Sequence, residues 1–290
     1  MSTPSRNFSD LLRGAEQRNR SLLCVGLDPE PAKFPHAWAG DAGRIFDFCS
    51  AIVDATHDLA IAFKPQIAYF AANRAEDALE RLIAHIHRVA PDVPVVLDAK
   101  RGDMGTSAEQ YAREAFERYR ADAVTLSPLQ GLDSIEPYMR HAGKGLFLLC
   151  RTSNPGGSEL QAQRLDNGDF LYEHIARLAQ GPWQAASKGG AQIGLVVGAT
   201  YPDEIARVRA LAPTLPLLIP GVGAQGGDAA ATVRSGWRGA DREKGGATTG
   251  AVLVNASRSI LYASRGADFA PAARAAALAT RATLEQARAS

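Results

Sequence analysis

Eight short apolar segments recur along the chain, separated by longer segments in which apolar and polar residues follow a helical spacing. Each short segment is almost continuously apolar, which is typical of strands buried on both faces of a parallel sheet. The eight predicted strands are Ser21–Leu27, Ile61–Ile67, Val93–Leu97, Ala123–Leu126, Gly145–Cys150, Ala191–Val197, Leu215–Ile219 and Ala251–Val254.

The intervening segments have the periodicity of amphipathic helices, with apolar residues recurring near every third or fourth position. One predicted helix precedes the first strand, and an Ala-, Arg- and Leu-rich helix closes the chain. The predicted helices are Phe8–Arg18, Ala42–Thr56, Ala75–Val89, Ala108–Tyr119, Ser134–His141, Phe170–Leu178, Asp203–Leu211, Asp228–Ser235 and Pro271–Ala289.

Strands that alternate with helices predict an α/β fold with a parallel sheet, and eight such units suggest closure into a (β/α)₈ TIM barrel. We therefore expect residues 1–290 to form a single barrel domain with additional N- and C-terminal helices. An open doubly wound sheet is the alternative. Two stretches are predicted as long loops, Thr152–Asp169 and Gly236–Gly250, and the second is interpreted as a solvated surface insertion.

The composition excludes several classes of protein. Lys and Arg total 32 against 31 Asp and Glu, and the resulting net charge of +1 argues against nucleic-acid or membrane-surface binding. No apolar run reaches the roughly 18 residues of a membrane span, and the N-terminus does not resemble a signal peptide. The three cysteines are too scattered for a disulfide framework and are predicted to be buried thiols. These features predict a soluble, cytoplasmic protein.

Charged residues gather where the predicted second and third strands end. Lys64 lies in the second strand, and Asp98, Lys100 and Asp103 follow the apolar core of the third. Asp98 and Lys100 are two positions apart, so regular strand alternation would direct both side chains into the barrel. At an effective dielectric near 20, opposite charges about 4 Å apart attract by about 4 kcal/mol, so these groups can keep one another ionised. A self-satisfied ion pair is the alternative, but a costly array of four charges favours a catalytic site.

Two further segments indicate an anion site. Gly221–Gly226 has the spacing G-x-G-x-x-G and follows the seventh strand, and Arg258 follows the eighth. In TIM barrels these two loops commonly form a phosphate site, to which Arg can bind bidentately. Taken alone the glycine motif also suits a dinucleotide fold, but there it follows the first strand. The six histidines lack metal-ligand spacing, and no nucleophile elbow is present.

The sequence resembles the orotidine 5′-phosphate decarboxylase family, most closely its longer bacterial subgroup. The most specific segment is the third-strand motif Leu97–Asp103, which reads LDAKRGD. The other matching segments, in the order expected of the barrel, are Gly26–Pro29, Phe63–Gln66, Thr152–Gly156, Pro220–Gly227 and Asn255–Arg258.

The resemblance implies that the chain converts orotidine 5′-phosphate to UMP and CO₂ in pyrimidine synthesis, with no metal and no organic cofactor. It also implies a homodimer with shared active sites. Lys100 is expected to be the proton donor to C6, Asp98 to face the substrate carboxylate, and Lys64 to join the charged network and contact ribose. Asp103 is expected to enter the neighbouring subunit's site. The other expected substrate contacts are Asp28 at the ribose, Ser153 at the pyrimidine, Gln225, Ser257 and Arg258 at the phosphate, and Ser107, where the family often has Thr.

Two alternative functions are compatible with parts of this pattern. The related 3-keto-gulonate 6-phosphate decarboxylases share an Asp-x-Lys-x-x-Asp stretch but use Mg²⁺, so sensitivity to a chelator distinguishes them. A phosphate-ligand sensor without catalytic activity is the second alternative. A sensor gains nothing from four buried charges, which favours the enzyme.

Overall fold

The structure, a computed structural model, describes residues 7–222, 227–238 and 251–289. Eight parallel strands form one sheet in the order β2-β1-β8-β7-β6-β5-β4-β3. They are β1 (Leu23–Leu27), β2 (Ala62–Pro65), β3 (Val96–Arg101), β4 (Ala123–Leu126), β5 (Gly145–Arg151), β6 (Gln192–Val197), β7 (Leu217–Pro220) and β8 (Val252–Ala256).

The two outer strands of that order meet and close the sheet. The backbone N–H of Phe63 in β2 donates to the carbonyl of Pro94 at 3.0 Å. Isolated parallel bridges join Phe63 to Val95 and Gln66 to Asp98. The predicted barrel is therefore confirmed, and the open doubly wound sheet is wrong.

Helices follow the strands and cover the outside of the barrel, while α1 precedes β1 and α13 closes the chain, as predicted. The helices of the described residues are α1 (Phe8–Asn19), α2 (Ile45–Thr56), α3 (Ile67–Ala71), α4 (Glu76–Val89), α5 (Gly105–Arg113), α6 (Glu136–Met139), α7 (Ser158–Gln161), α8 (Leu171–Leu178), α9 (Gln184–Ala186), α10 (Pro202–Leu211), α11 (Ala229–Gly236), α12 (Arg258–Leu261) and α13 (Phe269–Ala289). Short 3₁₀ turns lie at Pro31–Lys33, His36–Trp38, Ala42–Arg44, Leu132–Ser134 and Pro155–Gly157, and π-helical turns at Glu114–Arg118 and Ala179–Trp183.

Every predicted strand is present, and its apolar residues form the buried core. Most strand boundaries differ by one or two residues, and β3 begins three residues later and ends four residues later than predicted. Two of these differences lie at prolines. The third strand begins at Val96 rather than Val93 because Pro94 has no N–H for the ladder. The second strand ends at Pro65, and α3, a helix that the sequence did not predict, begins at Ile67. The side chain of Gln66 caps this helix by accepting from Ala68 N at 3.3 Å.

The predicted loop Thr152–Asp169 contains the 3₁₀ turn and α7, so it is more ordered than expected. The predicted insertion Gly236–Gly250 lies outside the described residues beyond Arg238. All three cysteines are buried free thiols, as predicted. Within the described ranges, the structure has no helix with the length and apolar composition needed to cross a membrane.

Candidate active site

A cavity of about 430 Å³ opens at the carboxyl ends of the strands. This is the end of the barrel where the loops after the strands converge, and where TIM-barrel enzymes have their active sites. The residues that line it are Asp28, Lys64, Asp98, Lys100, Thr125, Leu149, Thr152, Ser153, Asn154, Val196, Leu218, Pro220, Gly221, Val222, Asn255, Ser257 and Arg258. Seven of the ten residues predicted from the sequence are in this set.

Lys64 and Asp98 form the buried centre of the site. Lys64 Nζ donates to Asp98 Oδ2 at 2.9 Å, and both side chains are at least nine-tenths buried. Burial alone would raise the pKa of Asp98, but the ammonium groups of Lys64 and Lys100 outweigh it and hold that pKa well below its usual range. Burial alone would lower the pKa of Lys64, but Asp98 and Asp28 outweigh it and raise that pKa. Both groups are therefore held in their charged forms.

Lys100 binds the same carboxylate, although the backbone at Lys100 departs from regular strand geometry. Its Nζ donates to Asp98 Oδ1 at 2.6 Å, and its side chain is 46% exposed toward the cavity mouth. The backbone of Lys100 has φ = 47°, in the left-handed region, and the register between β3 and β4 shifts between Leu97 and Arg101. The prediction that both side chains face the cavity holds, but the expected cause, undisturbed alternation along the strand, is wrong.

Three buried polar atoms on the cavity wall formed by β8 and the residues after β1 and β8 have no hydrogen-bond partner among the described residues: Asp28 Oδ1, Asn255 Oδ1 and Ser257 Oγ. Lys64 Nζ lies 4.0 Å from Asp28 Oδ1, beyond hydrogen-bond reach. Gly26 makes room for two of these groups, because a Cβ there would lie 2.7 Å from Ser257 Cβ and 3.1 Å from Asn255 Oδ1. Buried acceptors without donors are costly, so this wall is suited to a ligand that carries hydroxyl groups.

The loops after β7 and β8 meet at the edge of the same cavity. Gly221 has φ = 102°, a conformation that favours glycine, and its carbonyl accepts from Gly227 N at 3.1 Å. Arg258 begins α12 and is exposed at the mouth. Within the described residues, no carboxylate forms an ion pair with its guanidinium, which leaves it available to an anion.

Arg151, the last residue of β5, links the start of α7 to the first turn of α10. Its side chain is almost completely buried; Nε donates to Glu204 Oε2 at 2.6 Å, and Nη2 donates to Ser158 Oγ at 2.8 Å. The guanidinium also stacks on Tyr201, 4.4 Å from the ring centroid. A buried, fully engaged arginine of this kind fixes where the following residues, including Ser153, enter the cavity wall.

Comparison with known proteins decides the family. The model of the orotidine 5′-phosphate decarboxylase / HUMPS family matches residues 21–275. The chain belongs to this family. The resemblance predicted from the sequence motifs is therefore confirmed.

Individual relatives of this decarboxylase-family chain match it over nearly its whole length. The orotidine 5′-phosphate decarboxylase of Methylibium petroleiphilum is 70% identical over 286 residues, covering 97% of this chain and 100% of that protein. That of Albidiferax ferrireducens is 68% identical, covering 97% and 98%. The solved structure of Leishmania donovani OMP decarboxylase is 40% identical, with a TM-score of 0.81, and the match covers 98% of this chain and all of that one.

Two predicted site residues of this family member, Asp103 and Ser107, are described but do not line its cavity. Asp103 follows β3, is partly buried, and accepts from Met104 N at 2.8 Å. Ser107 is exposed in the first turn of α5. Gln225 lies outside the described residues. The roles expected for these three residues therefore stay predictions.

Two polar residues that line the cavity from within strands were not predicted as site residues. Thr125 interrupts the apolar strand β4, and Asn255 begins the motif Asn255–Arg258 that carried part of the resemblance. The signal in both cases is a polar side chain within an otherwise apolar, fully buried strand, because buried polar groups need partners. The hydroxyl of Thr125 is hydrogen-bonded within the protein, whereas the amide oxygen of Asn255 has no hydrogen-bond partner among the described residues.

Proposed function

We propose that the chain catalyses the decarboxylation of orotidine 5′-phosphate to UMP and CO₂, the activity for which its curated relatives are named. The observation that carries the proposal is the array of Lys64, Asp98 and Lys100 at the cavity, in which two ammonium groups share one carboxylate. Such an array presents a fixed field of alternating charge to a bound anion, without further reorganisation during the reaction.

The chemistry requires a cation at the reacting carbon. When the bond between C6 and the carboxylate breaks, CO₂ leaves and the electron pair stays on C6, where the ring delocalises it poorly. The Lys100 ammonium stabilises that charge and then transfers a proton to C6, which gives UMP. Lys100 suits this role because it reaches Asp98 from the exposed side of the array, whereas Lys64 is buried. Asp98 holds the ammonium in place and faces the substrate carboxylate.

The rest of the cavity fits the other parts of the substrate. Hydroxyl groups of the ribose can donate to the unpartnered oxygens of Asp28 and Asn255. Ser153, on the opposite loop, is assigned to the pyrimidine. Arg258 is assigned to the phosphate, together with the backbone of Ser257 and with Gln225.

A homodimer with shared active sites is part of the proposal. Asp103 is not a lining residue of its own chain's cavity, although it follows the third strand by only two positions. Two large apolar side chains lie exposed after neighbouring strands on the same end of the barrel: Met104 is 54% exposed and Leu129 is 62% exposed. A second copy packed over this end would bury both and bring its Asp103 to the site.

We place the reaction in the cytoplasm, as expected for pyrimidine synthesis. This assignment is supported by the free thiols of Cys24, Cys49 and Cys150, because a reducing compartment keeps cysteines in that state.

The purified protein should convert orotidine 5′-phosphate to UMP at full rate after treatment with EDTA. The physical reason is that both oxygens of Asp98 already accept hydrogen bonds from lysines, so a metal ion would have to displace an ammonium group. The measurement is the absorbance change of the pyrimidine with and without the chelator. Loss of activity that added Mg²⁺ restores would contradict a metal-independent reaction. Absence of turnover would refute the proposed function and favour the metal-dependent 3-keto-gulonate 6-phosphate class.

Arg258→Ala should raise KM and lower kcat/KM for orotidine 5′-phosphate by about 10- to 100-fold, the loss expected for a hydrogen bond to a charged group. The informative comparison uses orotidine, which lacks the phosphate. Replacing orotidine 5′-phosphate by orotidine should lower kcat/KM strongly in the wild type and much less in the variant, because the variant has already lost the interaction with the phosphate. Arg265→Ala is the matched control, since Arg265 is also exposed and is not a cavity residue. An equal drop in kcat/KM on removal of the phosphate in wild type and Arg258→Ala would place Arg258 outside the phosphate site.

A further inference from the structure

Thr125 lies at the junction of the catalytic array and the irregular part of β3. It is 1% exposed, and its hydroxyl makes three hydrogen bonds. Oγ1 donates to Asp98 Oδ1 at 2.8 Å and accepts from Ala99 N at 3.0 Å and from Lys100 N at 2.9 Å. A hydroxyl has one proton to donate and two lone pairs, so the capacity of this group is fully used.

The backbone of β3 at Ala99 and Lys100 lacks regular ladder acceptors, which the Thr125 hydroxyl replaces. The register pairs Leu97 with Val124 and Arg101 with Leu126, so three residues of β3 lie opposite the single residue Thr125. Such a bulge removes ladder partners from the extra residues. The Thr125 hydroxyl takes the place of the missing backbone acceptor for two consecutive N–H groups, those of Ala99 and Lys100.

The bulge also holds Lys100 in a conformation that a lysine rarely adopts. With φ = 47°, Lys100 lies in the left-handed region, which persists in a residue with a Cβ only where its surroundings fix it. The described contact that fixes the Lys100 N–H is the one to Thr125. The same oxygen is bonded to Asp98, so one hydroxyl ties the backbone of the proton donor to the carboxylate that orients its ammonium.

We propose that Thr125 is a positioning residue for the decarboxylation: its hydroxyl fixes the left-handed backbone of Lys100 relative to Asp98 and so directs the Lys100 ammonium toward the reacting carbon. This inference rests on the proposed function. It assigns the role to the hydroxyl and not to the volume of the side chain, because valine would fill the same space and make none of the three hydrogen bonds.

The test compares Thr125→Val with Thr125→Ser, using kcat and KM for orotidine 5′-phosphate. Thr125→Val should lower kcat by about 100-fold, the cost of a displacement near 1 Å of a reacting group, while KM changes by less than about threefold. Thr125→Ser, which keeps the hydroxyl, should recover most of that loss.

The matched control is Thr56→Val. Thr56 is also completely buried, its hydroxyl donates to Ile52 O at 2.7 Å in α2, and it is not a cavity residue. This variant should keep the wild-type kcat. UMP affinity of each variant, measured by titration, verifies that the site has folded; if Thr125→Val does not fold, Thr125→Ala removes the same hydroxyl with less apolar bulk and takes its place.

Three results would overturn the proposal: wild-type kcat in folded Thr125→Val, an equal loss in the valine and serine variants, or a change in KM alone. The last would make Thr125 a substrate contact rather than a positioning residue. A wild-type protein without turnover would instead refute the proposed function, so the two failures are distinguishable.

Discussion

Lys100→Ala should lower kcat for orotidine 5′-phosphate by at least about 10⁴-fold, the combined scale of a general acid and a preorganised cation. The substitution removes both the proton and the positive charge that the carbanion at C6 requires. Lys64 remains 2.9 Å from Asp98, but it is buried behind the carboxylate and does not take over the role. The measurement is the initial rate of UMP formation at saturating substrate.

Lys33→Ala provides a closely matched control for that experiment. Lys33 is 45% exposed and ion-paired to Glu30 at 2.8 Å, much as Lys100 is 46% exposed and paired to Asp98, but it is not a residue of the cavity. Its replacement should leave kcat unchanged. UMP should still bind to Lys100→Ala, since the assigned phosphate and ribose contacts are intact. A Lys100→Ala enzyme that kept a tenth of the wild-type turnover would end the assignment of Lys100 as proton donor.

The strands could be predicted from the sequence because the strands of a parallel barrel are short, almost continuously apolar segments. Strands such as Leu23–Leu27 are buried on both faces, so they are apolar throughout and stand out from the helices. The position of the site followed from the same argument: polar residues such as Asp28 and Arg258 come where the strands end, and all eight ends meet at one face. Long-range geometry was thus implied by topology alone.

The conformation of Lys100 could not be predicted in this way. Nothing in the sequence marks a left-handed residue there, because the usual marker is glycine, and the nearest glycine, Gly102, lies two positions later. The N–H of Lys100 donates to the hydroxyl of Thr125, 25 residues away in the chain. A threonine in a buried strand indicates that a partner exists, but only the folded structure identifies which backbone it serves.

The helix after β2 and the role of Arg151 were missed for a related reason. The apolar run Ile61–Ile67 continues smoothly from strand into helix, and the change at Pro65 and Gln66 depends on a side-chain cap rather than on hydrophobic periodicity. Arg151 looks like an ordinary residue at a strand end. Its ion pair with Glu204 joins the end of β5 to α10 across 53 residues of sequence, and no local sequence pattern indicates it.

Mixing two inactive variants should restore activity if Asp103 serves the partner subunit. Lys100→Ala and Asp103→Ala are each expected to be nearly inactive alone. In a mixed dimer with shared sites, one site carries both substitutions and the other carries neither. With random exchange of equal amounts, about half of the dimers are mixed and each has one intact site, so activity should approach about a quarter of the wild-type value.

The control mixture combines Lys100→Ala with Asp98→Ala. Lys100 Nζ and Asp98 Oδ1 are 2.6 Å apart in one chain, so the two residues belong to the same cavity. Every site in that mixed dimer keeps one substitution, so no activity should return, although the chains exchange equally well. Mass spectrometry of intact dimers, with one variant carrying a tag, measures the exchange in both mixtures. If mixed dimers form and the Lys100→Ala with Asp103→Ala mixture stays as inactive as the control, Asp103 acts in its own chain, and the shared site is wrong. Recovery of activity is favoured because Asp103 is absent from the lining of its own cavity, and because Met104 after β3 and Leu129 after β4 are exposed.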